Sequence, residues 1–169
     1  VWISSKKRSR DLDYLIRIAR ADKIKVKFKD QTEIEAHVEG KTHGGVIAFV
    51  GDRKYQRLDE ILNVDKPFIA LLEGIEDPFN FGYCLRSLYA AGCNGVIVPS
   101  RNWTTVVDVV TKSSAGASEF IYIVESDDIP ETLKEIKKHG ITIYGANRKD
   151  AQSIYKTEFS ESLLVAIGG

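Results

Sequence analysis

Glu73-Gly74-Ile75-Glu76-Asp77-Pro78-Phe79-Asn80-Phe81-Gly82-Tyr83-Cys84-Leu85-Arg86-Ser87-Leu88 follows the apolar run Phe68–Leu72 and leads into a helical stretch over Phe81–Ala91. A strand passing through a polar, Pro-containing turn into a helix is the first half of a βαβ unit. Asp77-Pro78 fixes the turn, and Asn80 is placed to cap the helix. Gly82 lets a backbone or a ligand approach the first helical turn. Arg86 follows one turn later, near where the carboxyl ends of the strands gather. A plain structural reading is also open, in which Asn80 caps the helix and Arg86 pairs with Asp77 or Glu76.

Downstream the pattern repeats. Apolar runs at Val96–Val98, Phe120–Val124, Ile141–Tyr144 and Leu163–Ile167 alternate with helical stretches at Thr104–Lys112 and Pro130–His139, and a weaker one near Ala151–Tyr155. Continuous apolar strands separated by helices predict an α/β domain with a parallel sheet covered on both faces. Upstream, Asn63-Val64-Asp65-Lys66-Pro67 is polar and ends in proline, which places a domain boundary there. The expected division is 1–63, part of a small α/β domain, and 64–169, the parallel-sheet domain.

In the first segment Leu12, Leu15, Ile16 and Ala19 form a helical stripe over Asp11–Ala21. Lys23, Lys25, Lys27 and Lys29 then alternate with Ile24, Val26 and Phe28, the period of a strand with one apolar and one all-lysine face. The lysine face suits either a solvated edge strand that deters aggregation or a surface facing nucleic-acid phosphates. A short helix near Thr32–Val38, the turn His43-Gly44-Gly45, a strand at Val46–Val50 and a short helix around Leu58–Leu62 complete the segment.

The chain of 169 residues has 24 Lys+Arg against 24 Asp+Glu. That balance is uneven along it: residues 1–62 carry 14 basic and 10 acidic groups, and 63–169 the reverse. No apolar run approaches the ~20 residues that span a bilayer. Cys84 and Cys93 are too few for a disulfide framework and read as reduced thiols in a cytoplasmic protein. The glycine-rich phosphate loops of dinucleotide and P-loop folds are missing, as is a nucleophile elbow. His37, His43 and His139 lack metal-ligand spacing, so no metal is expected; His139 suits a helix C-cap and His43 a turn. Met is absent and residue 1 is Val, which reads as a piece of a longer chain or a sequence from which residues have been left out.

Asp77-Pro78-x-Asn80-x-Gly82-x-x-x-Arg86, after a strand ending in Glu73-Gly74, resembles the first signature of the SpoU/TrmH branch of the SPOUT RNA methyltransferases. Lys112-Ser113-Ser114-Ala115-Gly116-Ala117-Ser118-Glu119 is similar to a second block of that family. Leu163–Gly169 looks like the strand and first glycines of its second signature. His43-Gly44-Gly45-Val46-Ile47-Ala48 resembles the strand that closes the preceding RNA-binding domain, with Gly44 where a Gln is usual. Each block is moderately specific alone, and four in the right order, over about Arg10 to Gly169, are strong.

The resemblance implies transfer of a methyl group from S-adenosylmethionine to a ribose 2′-hydroxyl, with large-subunit ribosomal RNA as target. It implies a trefoil-knot SPOUT fold and a homodimer. Arg86, Asn80 and Glu73 match the catalytic positions, with Asn80 orienting Arg86 or the ribose and Glu73 holding Arg86. Gly145, Ala146, Asn147, Ile167, Gly168 and Gly169 would receive the cofactor, chiefly through main-chain groups. Lys23, Lys25, Lys27, Lys29 and Arg86 would face RNA. Ser114 and Gly116 would shape a loop near the site or a dimer contact. The family's acidic glycine-rich loop and its final knot-forming segment are not in the sequence, so the stretch alone is expected to be inactive. A non-catalytic RNA-binding or ribosome-associated protein on the same fold is the alternative; a nucleotide-binding domain of another type fits less well without phosphate loops.

Overall fold

The computed structural model describes residues 1–38, 43–100 and 106–168. The chain forms two compact units, Val1–Asp52 and Arg53–Gly169.

The first unit contains β1 (Trp2–Ser4), α1 (Arg10–Ala21), β2 (Lys27–Lys29), α2 (Gln31–Glu35) and β3 (Val46–Ile47). Its sheet has the order β2-β1-β3, with β1 parallel to β2 and antiparallel to β3. α1 begins where the Ser9 hydroxyl accepts the Leu12 N–H at 3.1 Å, which satisfies one of the helix's orphan donors. Leu12 and Ala19 of its stripe are buried, whereas Leu15 is largely exposed. The lysine alternation overstates the strand. Lys23 has φ 59° and ends α1, with its N–H on the Arg20 carbonyl and that of Ile24 on Ala19. The helix exit consumes the first residues of the pattern, and only Lys27–Lys29 pair with β1.

The second unit contains α3 (Leu58–Leu62), β4 (Phe68–Glu73), α4 (Pro78–Ala90), β5 (Gly95–Pro99), α5 (Val107–Ser113), β6 (Tyr122–Ser126), α6 (Ile129–Lys138), β7 (Thr142–Gly145) and β8 (Leu163–Gly168). Its five strands are all parallel, in the order β6-β5-β4-β8-β7. One core joins Ala70, Leu72, Val96, Val98 and Ile123 of the sheet to α4 and α5 through Phe81, Leu85 and Val110. The other joins Ile69, Leu71, Ile97, Val124 and Leu164 to α3 and α6 through Ile61, Leu62 and Ile136.

Cover on both faces therefore holds over β4–β6. Val165 and Ile167 pair with Ala70 and Leu72 and so share the α4 face, yet Ile167 is 40% exposed. On that face the carboxyl end of β8 is open among the described residues.

The compact units divide earlier than the Asn63–Pro67 turn. Gln56 donates its N–H to the Ile123 carbonyl (2.9 Å) and its side-chain oxygen accepts the Ile123 N–H (2.9 Å), closing the free edge of β6. Ile61 is fully buried, and its Cγ2 lies 2.6 Å from where a Cβ on Gly95 would sit. The polar Pro-terminated turn marks a loop between α3 and β4, inside a core that α3 helps to build.

Two further elements differ from the pattern. Phe120 caps the 3-10 turn Ala117–Glu119, so β6 starts at Tyr122. Near Ala151–Tyr155 there is a single 3-10 turn, Ile154–Lys156. The start of the expected helix at Thr104 lies outside the described residues. His139 does end α6 as its C-cap.

Candidate active site at the carboxyl edge of the parallel sheet

From central β4 the chain steps outward through β5 and β6, crosses to β7 at the far edge, and returns to β8 beside β4. Strand order thus reverses between β4 and β8, and open α/β sheets bind ligands outside the carboxyl ends at such a point. Register sets Glu73 opposite Gly168 and Gly145 opposite Ala166. The Ala146 N–H continues the ladder to the Ala166 carbonyl at 2.9 Å. Glu73, Gly145, Ala146, Ile167 and Gly168 therefore stand on three adjacent strand ends.

Next to them is an open cleft of about 490 Å³, lined by Gly145, Ala146, Asn147, Gln152, Phe159 and Val165 among others. Its wall is fixed by Tyr144, whose ring meets Phe159 edge-on at 4.9 Å and whose hydroxyl accepts the Ser160 N–H at 3.0 Å. The Asn147 side chain accepts the Arg148 N–H at 2.8 Å, so it shapes its own loop. A Cβ added to Gly145 or Gly168 would meet nothing within 4 Å. The volume matches that of small-molecule sites, and bare main chain borders open space, so these residues fit a nucleoside-sized cofactor. Gly169 lies outside the described residues.

α4 starts earlier than its sequence signals suggest, and Asn80 is not its cap. The Asp77 carboxylate accepts the Asn80 N–H at 3.0 Å, with Pro78 opening the helix. Proline at the first helical position has the φ a helix needs and no N–H to orphan, so the capping role falls to the residue before it. Arg86 is then about two turns into α4, roughly 12 Å along the axis at ~1.5 Å per residue. Glu73, Asn80 and Arg86 are all exposed. Among the described residues no hydrogen bond or ion pair joins them. Asn80 and Arg86 are also spaced differently from the i+3 or i+4 pairs that meet on a helix surface.

The second block is architectural. Ser114 is fully buried, donating to the Thr111 carbonyl (3.2 Å) and accepting the Ser118 N–H (3.2 Å). Ala115 and Gly116 both take positive φ to turn the chain. α4 lies so close that a Cβ on Gly82 would fall 1.8 Å from the Ser113 Oγ. Two blocks read separately in the sequence thus touch, and backbone approach rather than a ligand explains Gly82.

Arg53 had no sequence signal, since its partners are far along the chain. Its guanidinium donates to the Ser118 carbonyl at 3.0 Å and pairs with the Glu119 carboxylate. Burial pushes the Glu119 carboxyl up, but hydrogen bonds from Arg53 and Ser118 outweigh it and hold the pKa below the ordinary value. A depressed native carboxylate stabilises the fold above its unfolded pKa and loses that contribution as pH falls through the folded one. Arg53→Ala should therefore lower the thermal midpoint at neutral pH, by about 1–3 kcal/mol of stability. Melting the variant and the parent protein from pH 7 downward tests this: the difference should shrink with acid, and a constant difference would remove Glu119 from the account.

The SpoU rRNA Methylase family model matches residues 67–169. The chain belongs to the SpoU methylase family. A model for RNA 2'-O ribose methyltransferase substrate binding matches residues 1–56. The 23S rRNA (guanosine-2'-O-)-methyltransferase RlmB of Pseudomonas putida is 32% identical over 173 residues, covering 99% of this chain and 69% of that protein. Its Shewanella oneidensis counterpart is 30% identical, over 99% and 70%. Among solved structures, the SpoU methyltransferase AviRb from Streptomyces viridochromogenes superposes with a TM-score of 0.74 at 18% identity, over 99% of this chain and 63% of that one. AviRb in complex with the cofactor AdoMet gives 0.73 at 17% identity, again over 99% and 63%. These solved structures establish the SpoU fold, and this chain spans less than two thirds of their length.

In this SpoU chain the four candidate RNA lysines differ in setting. Lys23, Lys25 and Lys27 are exposed, with the Lys25 carbonyl accepting from the Val1 amine at 2.8 Å. Lys29 is engaged, pairing with Glu33 at 2.6 Å and lying over the Trp2 ring at 4.9 Å. No cluster of His, Cys, Asp and Glu among the described residues could hold a metal ion. No described helix is long and apolar enough to cross a membrane. Both cysteines are free, and burial pushes the Cys93 thiol up to about 11, which leaves it a protonated, inert core group.

Proposed function

We propose that this chain is the RNA-binding and catalytic part of a methyltransferase that moves a methyl group from S-adenosylmethionine to a ribose 2′-hydroxyl, in large-subunit ribosomal RNA. The observation that carries the reading is the open main-chain edge at Gly145–Asn147 and Ile167–Gly168. Gly145–Asn147 line a cofactor-sized cleft, and Ile167–Gly168 end the adjacent strand at the reversal point of the sheet, on a strand-end row shared with Glu73. The names of the 23S rRNA relatives and the match of residues 1–56 to a substrate-binding model support RNA as the acceptor.

When bound, S-adenosylmethionine supplies a methyl group on a sulfonium sulfur, open to in-line attack. The chain's own task is placement, because holding two reactants in line removes most of the entropic barrier. The acceptor hydroxyl gives up its proton to solvent water as the C–O bond forms and the C–S bond breaks, and the partial negative charge that this leaves on its oxygen needs a donor until the methyl group arrives. Arg86 carries a guanidinium, a reluctant base but a strong bidentate donor. It stabilises that oxygen and clamps the adjoining phosphate. Asn80, in the first turn of α4, orients the ribose. Glu73 is a positioning residue for Arg86 in the RNA-bound enzyme. The homodimer, the cytoplasmic location and the absence of a metal belong to the same proposal.

Calorimetry of the full-length protein with S-adenosylmethionine, beside transfer of labelled methyl to ribosomal RNA, tests it. Saturable heat and label resistant to alkali at a ribose are expected. RNA binding with no cofactor heat at high concentration would leave a non-catalytic RNA-binding protein on the SpoU fold.

A further inference from the structure

We propose that the first unit grips unpaired RNA by stacking bases on a face built from Trp2, His37 and Phe49 and flanked by Lys27 and Lys29. The inference rests on the reading of this chain as an RNA methyltransferase and adds how the RNA is held. The register of β1 and β2 sets Trp2 beside Lys27 and Ser4 beside Lys29. Laterally paired residues, and those two apart on one strand, share a sheet face. Trp2, Lys27 and Lys29 therefore project to the same side, and the lysine face of β2 carries an aromatic ring in its midst.

Two more rings join Trp2 there. Its ring lies 4.8 Å from His37 and 5.0 Å from Phe49, and those two are 5.8 Å apart. All three contacts are edge-to-face, the favourable arrangement for aromatic quadrupoles, so the cluster is held by its own packing. Lys29, over Trp2 and tied to Glu33, braces it from one side. Burial explains only part of the cluster: Ile47, paired with Trp2, and Ser4 on the same face are buried and Trp2 is half-buried, whereas Phe49 is 60% exposed and His37 is exposed.

The exposed rings of Phe49 and His37, packed on half-buried Trp2 and beside the exposed Lys27, suit one partner chemistry. Every nucleobase has a π-face, and stacking on a protein ring tolerates any sequence. Phosphates on either side of a stacked base would meet Lys27 and the basic excess of residues 1–52, which carry 11 Lys+Arg against eight Asp+Glu. An RNA duplex hides its base faces, so such a platform selects loops, bulges and ends.

Fluorescence anisotropy of the full-length protein with a mixed-sequence single-stranded RNA, and with its complementary duplex, tests the proposal. Phe49→Ala and Trp2→Ala should each weaken single-strand binding about tenfold or more and leave duplex binding nearly unchanged. Trp2→Phe should keep most of the affinity, which separates loss of stacking from loss of fold. Single-strand binding unaffected by Phe49→Ala, or equal losses for single strand and duplex, would overturn the stacking face. Cofactor heat is the independent arm. Its presence with unchanged RNA binding sinks this inference alone, and its absence in the unsubstituted protein sinks the methyltransferase reading instead.

Discussion

Arg86→Ala in the full-length protein is expected to lower the rate of methyl transfer by roughly two to three orders of magnitude, the size seen when one preorganised donor to a developing oxyanion is removed. S-adenosylmethionine affinity should stay nearly intact, because the cofactor candidates Gly145–Asn147 and Ile167–Gly168 present main chain on other elements. The fold should also survive. Arg86 is exposed on α4, and among the described residues no hydrogen bond or ion pair holds its guanidinium, so truncation orphans no buried group; such surface changes fall within about 0.5 kcal/mol. Arg86→Lys separates charge from geometry. A lysine restores the positive charge without the planar fork, so it should recover a minor part of the rate. Single-turnover kinetics beside calorimetry decide the matter. Equal losses of rate and cofactor affinity would make Arg86 a structural residue of α4.

How legible these features were in the sequence depends on the range of the interaction behind each. The parallel sheet was readable because burial on both faces leaves continuous apolar runs such as Phe68–Leu72, and chain connectivity alone places their carboxyl ends together. The lysine strand was half readable: alternation is local, but Lys23 answers to the helix before it, whose exit needs a left-handed residue. Asn80 lost the capping role to Asp77 because Pro78 fixes the first helical φ, a preference that the proline itself announced. The Asn63–Pro67 turn has the composition of a linker, and only the burial of Ile61 against Gly95 reveals that the core continues past it. Arg53 and its Ser118–Glu119 partners lie too far apart in the chain for any periodicity to connect them. Gly145–Asn147 follow an apolar run and so fall at a strand end, whereas the wall of the cleft at Phe159 depends on the Tyr144 ring meeting it edge-on.

Gly82→Ala should destabilise the second unit by about 1–3 kcal/mol, the usual cost of forcing extra volume into a close-packed contact. At roughly 2–4 °C per kcal/mol for a chain of this size, the thermal midpoint falls by several degrees. Taken alone, alanine is the better helix former by about 1 kcal/mol, so a fall would mean that the tertiary contact outweighs propensity. The geometry says it does. The new Cβ would lie 1.8 Å from the Ser113 Oγ, 2.8 Å from its Cβ and 3.0 Å from the Ser114 backbone nitrogen. The Ser113 hydroxyl could rotate away at the loss of its bond to the Val109 carbonyl, 2.8 Å distant. The Ser114 nitrogen cannot, because it closes α5 onto the Val110 carbonyl at 2.9 Å. Relief therefore requires α4 and α5 to separate, which loosens Phe81, Leu85 and Val110 together in the core beneath them. Ser113→Ala removes the worst contact and should recover part of the loss in the double variant, a coupling that only neighbouring sites show. Arg86 stands one turn beyond Gly82 on the same helix, so the displacement reaches the site as well: methyl transfer should fall even at temperatures where the variant remains folded. A midpoint that rises on Gly82→Ala would show that the helix pair yields without cost, and that Gly82 answers to a ligand instead of to α5.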